Sequence, residues 1–248
     1  MMRPFLKMTW IEAKLLLREP IGVFFTLAFP LMMLFLFGSI YGNKPLPFFA
    51  GYGSVDVSVP AYTAMIIATS GLLTLSIGMA GNRENGILRR LRATPMRPLI
   101  ILSSQMTVIF AMTVAGMTLL IVAGKIFYGL RFNGSALNVA AAFLLSSLSF
   151  FALGFVLAGL LPTARTAQVV GMVLFYPMIF LSGSTIPLES LPSGVRAFAR
   201  FLPLTHVVTL LRGLWIGDAW SRHGTEVIVL LVLLIACTLV AVKTFRWE

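Results

Sequence analysis

From Ile21 to Tyr41 the chain carries no charged side chain. A helix over such a run rises 1.5 Å per residue and covers about 30 Å, the thickness of a bilayer's hydrocarbon core. Five further charge-free runs come after it. Of 248 residues 58% are hydrophobic and 11% charged, more apolar surface than a soluble domain can hide. The implied fold class is an all-α polytopic membrane protein. Its six transmembrane helices are predicted at 21–41, 61–80, 99–124, 136–161, 167–183 and 225–243. The last is short, with sixteen uncharged residues between Glu226 and Lys243, so its flanking side chains must snorkel.

Local signals refine the spans. Pro30 leaves the Thr26 carbonyl without its helical donor and predicts a kink there; Pro177 does the same in the fifth span. Residues 42–58 read as a loop, with Ser58 as N-cap and Pro60 in the first turn of the second span. Gly154 and Ala158 have the small-xxx-small spacing of closely packed helices. Residues 1–20 read as an amphipathic interfacial helix, with Phe5, Met8, Ile11, Leu15 and Leu16 near helical spacing. An ordinary anchor at the start of the chain fits the same pattern. Glu12, Lys14, Arg18 and Glu19 interrupt any signal-peptide core.

Between the second and third spans lies a basic stretch. Five of the nineteen basic residues, Arg83, Arg89, Arg90, Arg92 and Arg97, fall in it. Asn82 can cap a short helix whose Ile87, Leu88 and Leu91 share one side; Thr94 and Pro95 then open the third span. Such a helix can lie on lipid or serve as a handle for a partner. Between the fifth and sixth spans, 184–224 holds two amphipathic helices, near Pro192–Phe201 and Thr205–Ile216. Ser190 or Ser193 is available to cap the first, and both are too short to span. They read as a re-entrant hairpin.

Orientation is set by basic residues in short loops. Arg3, Lys7, Lys14, Arg18, the five arginines above, Arg165, Lys243 and Arg246 fall on one side, against Lys44, Lys125 and Arg131 on the other. Both termini and the basic stretch are therefore expected in the cytoplasm, with the 184–224 hairpin outside. The net charge of +11 sits in short segments between apolar runs, a pattern of membrane orientation rather than nucleic-acid binding.

Several chemistries lack their residues. Gly124-Lys125 is followed by Ile126 and has no upstream glycine, so there is no P-loop. His206 and His223 stand alone in the sequence, without metal-ligand spacing, and His206 reads as a hydrogen-bonded helix-end residue. The lone Cys237 cannot form an internal disulfide. A six-span protease would need Gly-x-Ser-Gly, which Ala68-Thr69-Ser70-Gly71 misses by one glycine. A proton-driven carrier would keep a carboxylate at membrane depth; Glu226, at a span end, is the only acid read near one. Thr63, Ser70 and Thr74 follow i, i+7, i+11 and are expected on one face, where they either line a polar path or hydrogen-bond neighbouring helices. With Phe175, Tyr176 and Phe180 they form the candidate substrate path.

Two stretches carry a family likeness. Arg83-Glu84-Asn85-Gly86-Ile87-Leu88-Arg89-Arg90-Leu91, followed by Ala93-Thr94-Pro95, resembles the cytoplasmic loop of the ABC-2 type transporter permeases. Ser182-Gly183, Ile186 to Pro192, Phe201 to His206 and Leu211-Arg212-Gly213 resemble the re-entrant hairpin of that family's drug-resistance and nodulation exporters. Asn82 stands where the family often has an acid, Ile87 where it often has Thr, and Leu102-Ser103-Ser104-Gln105 where Leu-Gly-Lys is common. These departures bear on the subfamily and so on the substrate. The resemblance implies a coupling helix at 82–95, in which Arg83, Glu84, Gly86, Ile87, Leu88, Arg89, Arg90 and Leu91 dock on a separate ABC ATPase subunit. It places Pro187, Leu191, Pro192, Pro203 and His206 in the hairpin. It implies a second permease copy, identical or paralogous, in the inner or plasma membrane, exporting an amphiphilic substrate such as a drug, lipid or lipid-linked glycan. ATP and Mg would be bound by the partner, with no cofactor and no catalytic residue in this chain.

Overall fold

The computed structural model describes residues 2–45, 51–87, 98–186 and 188–244. The described residues form an all-helical bundle, and six helices are long and apolar enough to cross a membrane: Phe24–Tyr41, Ser54–Glu84, Ile100–Tyr128, Ala136–Leu160, Ala164–Leu181 and Trp220–Thr244. The second span is the axis, with 83% of its apolar window buried, against 11% for the sixth. The other spans pack around it, and the sixth lies against the fourth, where Ser149 Oγ donates to the Leu230 carbonyl at 2.9 Å.

Backbone contact sets the crossing at the centre. A Cβ on Gly154 would sit 2.2 Å from the Gly71 carbonyl oxygen, and one on Gly171 2.7 Å from that of Leu72. The small-residue spacing at Gly154 is therefore used, and its partner is Gly71, the last residue of the stretch that falls one glycine short of a protease motif. These contacts fall on a wide π turn at Ser70–Leu75 inside the second span. A second π turn, Phe24–Ala28, precedes Pro30 in the first span. A wider turn accommodates the donor that proline lacks. Gly116 of the third span lies against the Thr26 carbonyl, where a Cβ would come within 3.1 Å.

The second span starts earlier than its sequence suggests. Its helix begins at Ser54, so Ser58 and Pro60 lie inside it and the loop ends at Gly53. The cap comes from elsewhere: Asn43 Oδ1 accepts from the Val55 and Asp56 amides at 3.1 and 3.2 Å. Asp56, read from sequence as a loop residue, is thus a buried acid in the first turn of a span. It accepts from Asn43 Nδ2 at 2.8 Å, the Gly53 amide at 3.1 Å and the Arg131 amide at 2.8 Å, and pairs with Arg131 Nε at 3.5 Å. A carboxylate engaged this completely is a structural cap, not a proton relay.

The N-terminal helix, Met2–Leu17, packs along the third span, with Met8 against Met79, Ile101 and Ala158. Trp10, Ile11, Leu15 and Leu17 stay exposed. Glu12 faces inward and is 9% exposed.

Candidate functional site

The second span does not stop at Ala80 but continues as helix to Glu84. Asn82 is therefore inside a helix rather than capping a new one, and Glu84 is in a last turn rather than a first. The chain then turns at Gly86, whose φ of +66° lies in the left-handed region that glycine adopts without strain. The Asn85 amide bonds the Gly81 carbonyl and the Gly86 amide that of Arg83, both at 2.9 Å. Ile87, 38% exposed, re-enters helical conformation. Leu88, Arg89, Arg90, Leu91, Thr94 and Pro95 lie outside the described residues, as does Pro187.

A carboxylate in a C-terminal turn faces the wrong end of its own helix dipole. Glu84 resolves this by reaching across to another helix: its Oε2 accepts from the Ala164 amide at 2.9 Å, the first residue of the fifth span. Arg83 does the opposite. Its Nη1 donates to the Gly159 carbonyl at 3.2 Å and its Nη2 to that of Leu161, at the end of the fourth span. Each charge meets the helix terminus of complementary sign, where backbone groups lack intrahelical partners. Thr163 completes the turn by capping the fifth span, its Oγ1 accepting from the Thr166 amide at 3.1 Å.

On the same side of the molecule a cleft of about 310 Å³ opens between the first, second and fifth spans. Thr74, Phe175 and Tyr176, three of the six residues expected on the substrate path, line it together with Thr69, Leu73, Gln168, Met172 and the Arg18–Pro20 turn. The other three are elsewhere. Thr63 Oγ1 bonds the Val59 carbonyl at 2.9 Å, and Ser70 accepts from Thr113 Oγ1 at 2.9 Å, both inside the bundle. Phe180 is outside the cleft lining and half exposed. The π turn is the reason: each residue it inserts rotates the rest of the helix by about 100°, so regular helical spacing fails between Ser70 and Thr74. Thr69 and Gln168 escaped sequence reasoning because single polar residues in apolar runs carry no spacing signal. The buried Thr74 hydroxyl has no hydrogen-bond partner, and burial pushes the Glu19 carboxyl at the rim above the usual glutamate range.

The hairpin is built as two helices, Ser193–Ala199 and Pro203–Ile216. The first is preceded by Pro192, which supplies no side-chain cap of its own. Pro203 opens the second, where its fixed φ fits the first turn. Thr205 Oγ1 donates to the Ala199 carbonyl at 2.6 Å, and His206 Nε2 meets the Arg200 carbonyl at 2.9 Å, which places the proton on Nε2. His206 is the helix-end residue expected of it. Val207, Val208, Leu211, Leu214 and Trp215 are buried, so the second helix packs its apolar side into the bundle. Leu191 is partly buried and Pro192 exposed. His223, isolated in the sequence, lies between Asp218 at 3.5 Å and Glu226 at 3.8 Å.

Known proteins share much of this chain. A family model described as ABC-2 type transporter matches residues 3–215. A probable multidrug ABC transporter permease, YbhR of Escherichia coli (strain K12), is 24% identical over 161 residues, 65% of this chain and 44% of its own. The daunorubicin resistance ABC transporter permease protein DrrB1 of Streptomyces coeruleorubidus is 27% identical over 226 residues, 89% of this chain and 74% of its own. The putative transport permease YvfS of Bacillus subtilis (strain 168) is 25% identical over 201 residues, 81% of this chain and 80% of its own. The match spans less than half the length of the first of these.

Proposed function

Since the chain belongs to the ABC-2 type transporter family, we propose that it is the membrane-spanning permease subunit of an ABC exporter, driven by ATP hydrolysed on a separate ATPase subunit. One observation carries this reading most directly. A single helix, Ser54–Glu84, bears cleft-lining Thr69, Leu73 and Thr74 and ends at the stretch that resembles a docking element. A push on that stretch is delivered to the cleft wall. Two permease copies would face each other across such clefts and two ATPases would bind Mg-ATP beneath them, in the inner or plasma membrane with both termini cytoplasmic. The proposed orientation puts the 184–224 hairpin outside. The cargo is an amphiphile: the lining is mostly aromatic and aliphatic, with Thr69, Thr74, Gln168 and the Arg18–Glu19 rim as its polar groups. The relatives named for multidrug and daunorubicin resistance agree with that class.

Leu91→Asp tests the docking. Helical spacing in the sequence would put Ile87, Leu88 and Leu91 on one apolar ridge, and a carboxylate placed in a desolvated interface costs several kcal/mol, enough to weaken binding by orders of magnitude. The variant is expected to remain in the membrane and to lose its ATPase on co-purification. Retention at the parental level would remove the ridge. If the stretch lies on lipid instead, changing Arg89, Arg90 and Arg92 to Gln disturbs membrane insertion while Leu91→Asp keeps the complex.

A further inference from the structure

We propose that Arg83 and Glu84 are positioning residues that fasten the root of the docking stretch to the turn between the fourth and fifth spans. The second, fourth and fifth spans then answer a push on that stretch as one body. This rests on the permease reading above. The two residues are adjacent and opposite in charge, yet they do not pair with each other. The guanidinium takes the free carbonyls of Gly159 and Leu161, and the carboxylate takes the free amide of Ala164. Together they hold both sides of one short turn. One turn up the second span, a Cβ on Gly81 would lie 3.5 Å from the Ala164 Cβ, so the helices are already in contact there. Deeper in the membrane the Gly154 and Gly171 crossings join the same three spans a second time. Two levels of attachment prevent the spans from pivoting about a single crossing. Glu84 is exposed, and an exposed charged contact adds little to fold stability. Its value is in direction: it determines which helices move when the docking stretch moves.

The spacing supplies its own test. The Cβ separation at positions 81 and 164 lies within disulfide reach. In a Cys237→Ala background, Gly81→Cys with Ala164→Cys should oxidise readily. The complex with its ATPase is placed in lipid nanodiscs, and hydrogen exchange of residues 161–170 is measured with and without ATP plus vanadate. The parent should show a nucleotide-dependent change in this segment. Arg83→Ala with Glu84→Ala should lose that change, and the 81–164 disulfide should restore it; a loss of the ATPase that the disulfide does not reverse would make the two residues docking contacts and overturn the proposal. A purely structural role would give neither the selective loss nor the covalent rescue. A nucleotide effect that persists in the double alanine variant, or a disulfide that fails to restore it, overturns the proposal. So does a disulfide that abolishes the effect in the otherwise parental chain, a readout that does not depend on the alanine variant folding. If the parent chain forms no complex with an ATPase at all, the permease reading falls and this inference with it.

Discussion

The two ends of the second span hold their charged side chains in opposite ways. At the Ser54 end, Asp56 is 1% exposed and both carboxylate oxygens are taken up by Asn43, Gly53 and Arg131. At the Glu84 end, Arg83 is partly buried, Glu84 is exposed, and the bonds run to termini of other helices. Buried and multiply bonded groups resist motion, because breaking them strands charge away from water. Exposed bonds exchange with water at little cost. One end is built as a buried anchor and the other as an exposed clasp, and the clasp is where the proposed docking stretch begins.

The largest expected effect breaks the anchor. Asp56→Ala removes the acceptor of three donors and the counterion of Arg131. Arg131 is half exposed and stays solvated, so the loss is that of the hydrogen bonds to a buried carboxylate, roughly 1.5–3 kcal/mol each. Thermal unfolding in detergent should show a sharp fall in midpoint and a low yield of folded protein, with Asp56→Asn falling less because it keeps the shape and one acceptor oxygen. A parental midpoint for Asp56→Ala would deny the anchor. Next in size is the clasp. Arg83→Ala and Glu84→Ala should each lower stability by about 1 kcal/mol or less, as measured for solvent-exposed pairs. A fall as large as that of Asp56→Ala would make both ends anchors and remove the contrast.

This contrast also marks where sequence reasoning reached and where it stopped. The six spans were legible because a charge-free run of bilayer length has one economical solution in lipid. Pro30, His206 and the Gly154 crossing were legible because each is a local rule. The ends of the second span were not. Ser58 followed by Pro60 has the form of a helix start, but Asn43 caps the helix at an earlier turn from a distant point in the chain. Asn82 and Glu84 have the form of another start, but Glu84 serves Ala164, eighty residues on. Caps supplied by distant residues leave no trace in nearby spacing. The stripe through Thr63, Ser70 and Thr74 failed because a π turn changes the period without a residue type that announces it.

The smallest expected effect compares Asp56 with an acid that has no such donors. Glu12, on the N-terminal helix, is 9% exposed and has no hydrogen-bond or ion-pair partner among the described residues. Burial, with Glu19 adding to it, pushes its carboxyl above the usual glutamate range. That fixes the sign of the pH dependence. A carboxyl raised in the folded state holds its proton more tightly there than in the unfolded chain. Its penalty is absent at pH below the ordinary glutamate value and grows as pH rises through the raised folded value. Glu12→Gln removes the charge and keeps the shape. At pH 8 the variant should be more stable than the parent, by less than the effects above, and at pH 4 the two should coincide. Midpoints measured at both pH values decide it. Equal midpoints at pH 8 would mean that the Glu12 carboxylate finds a donor or water after all, and that its burial does not set it apart from Asp56.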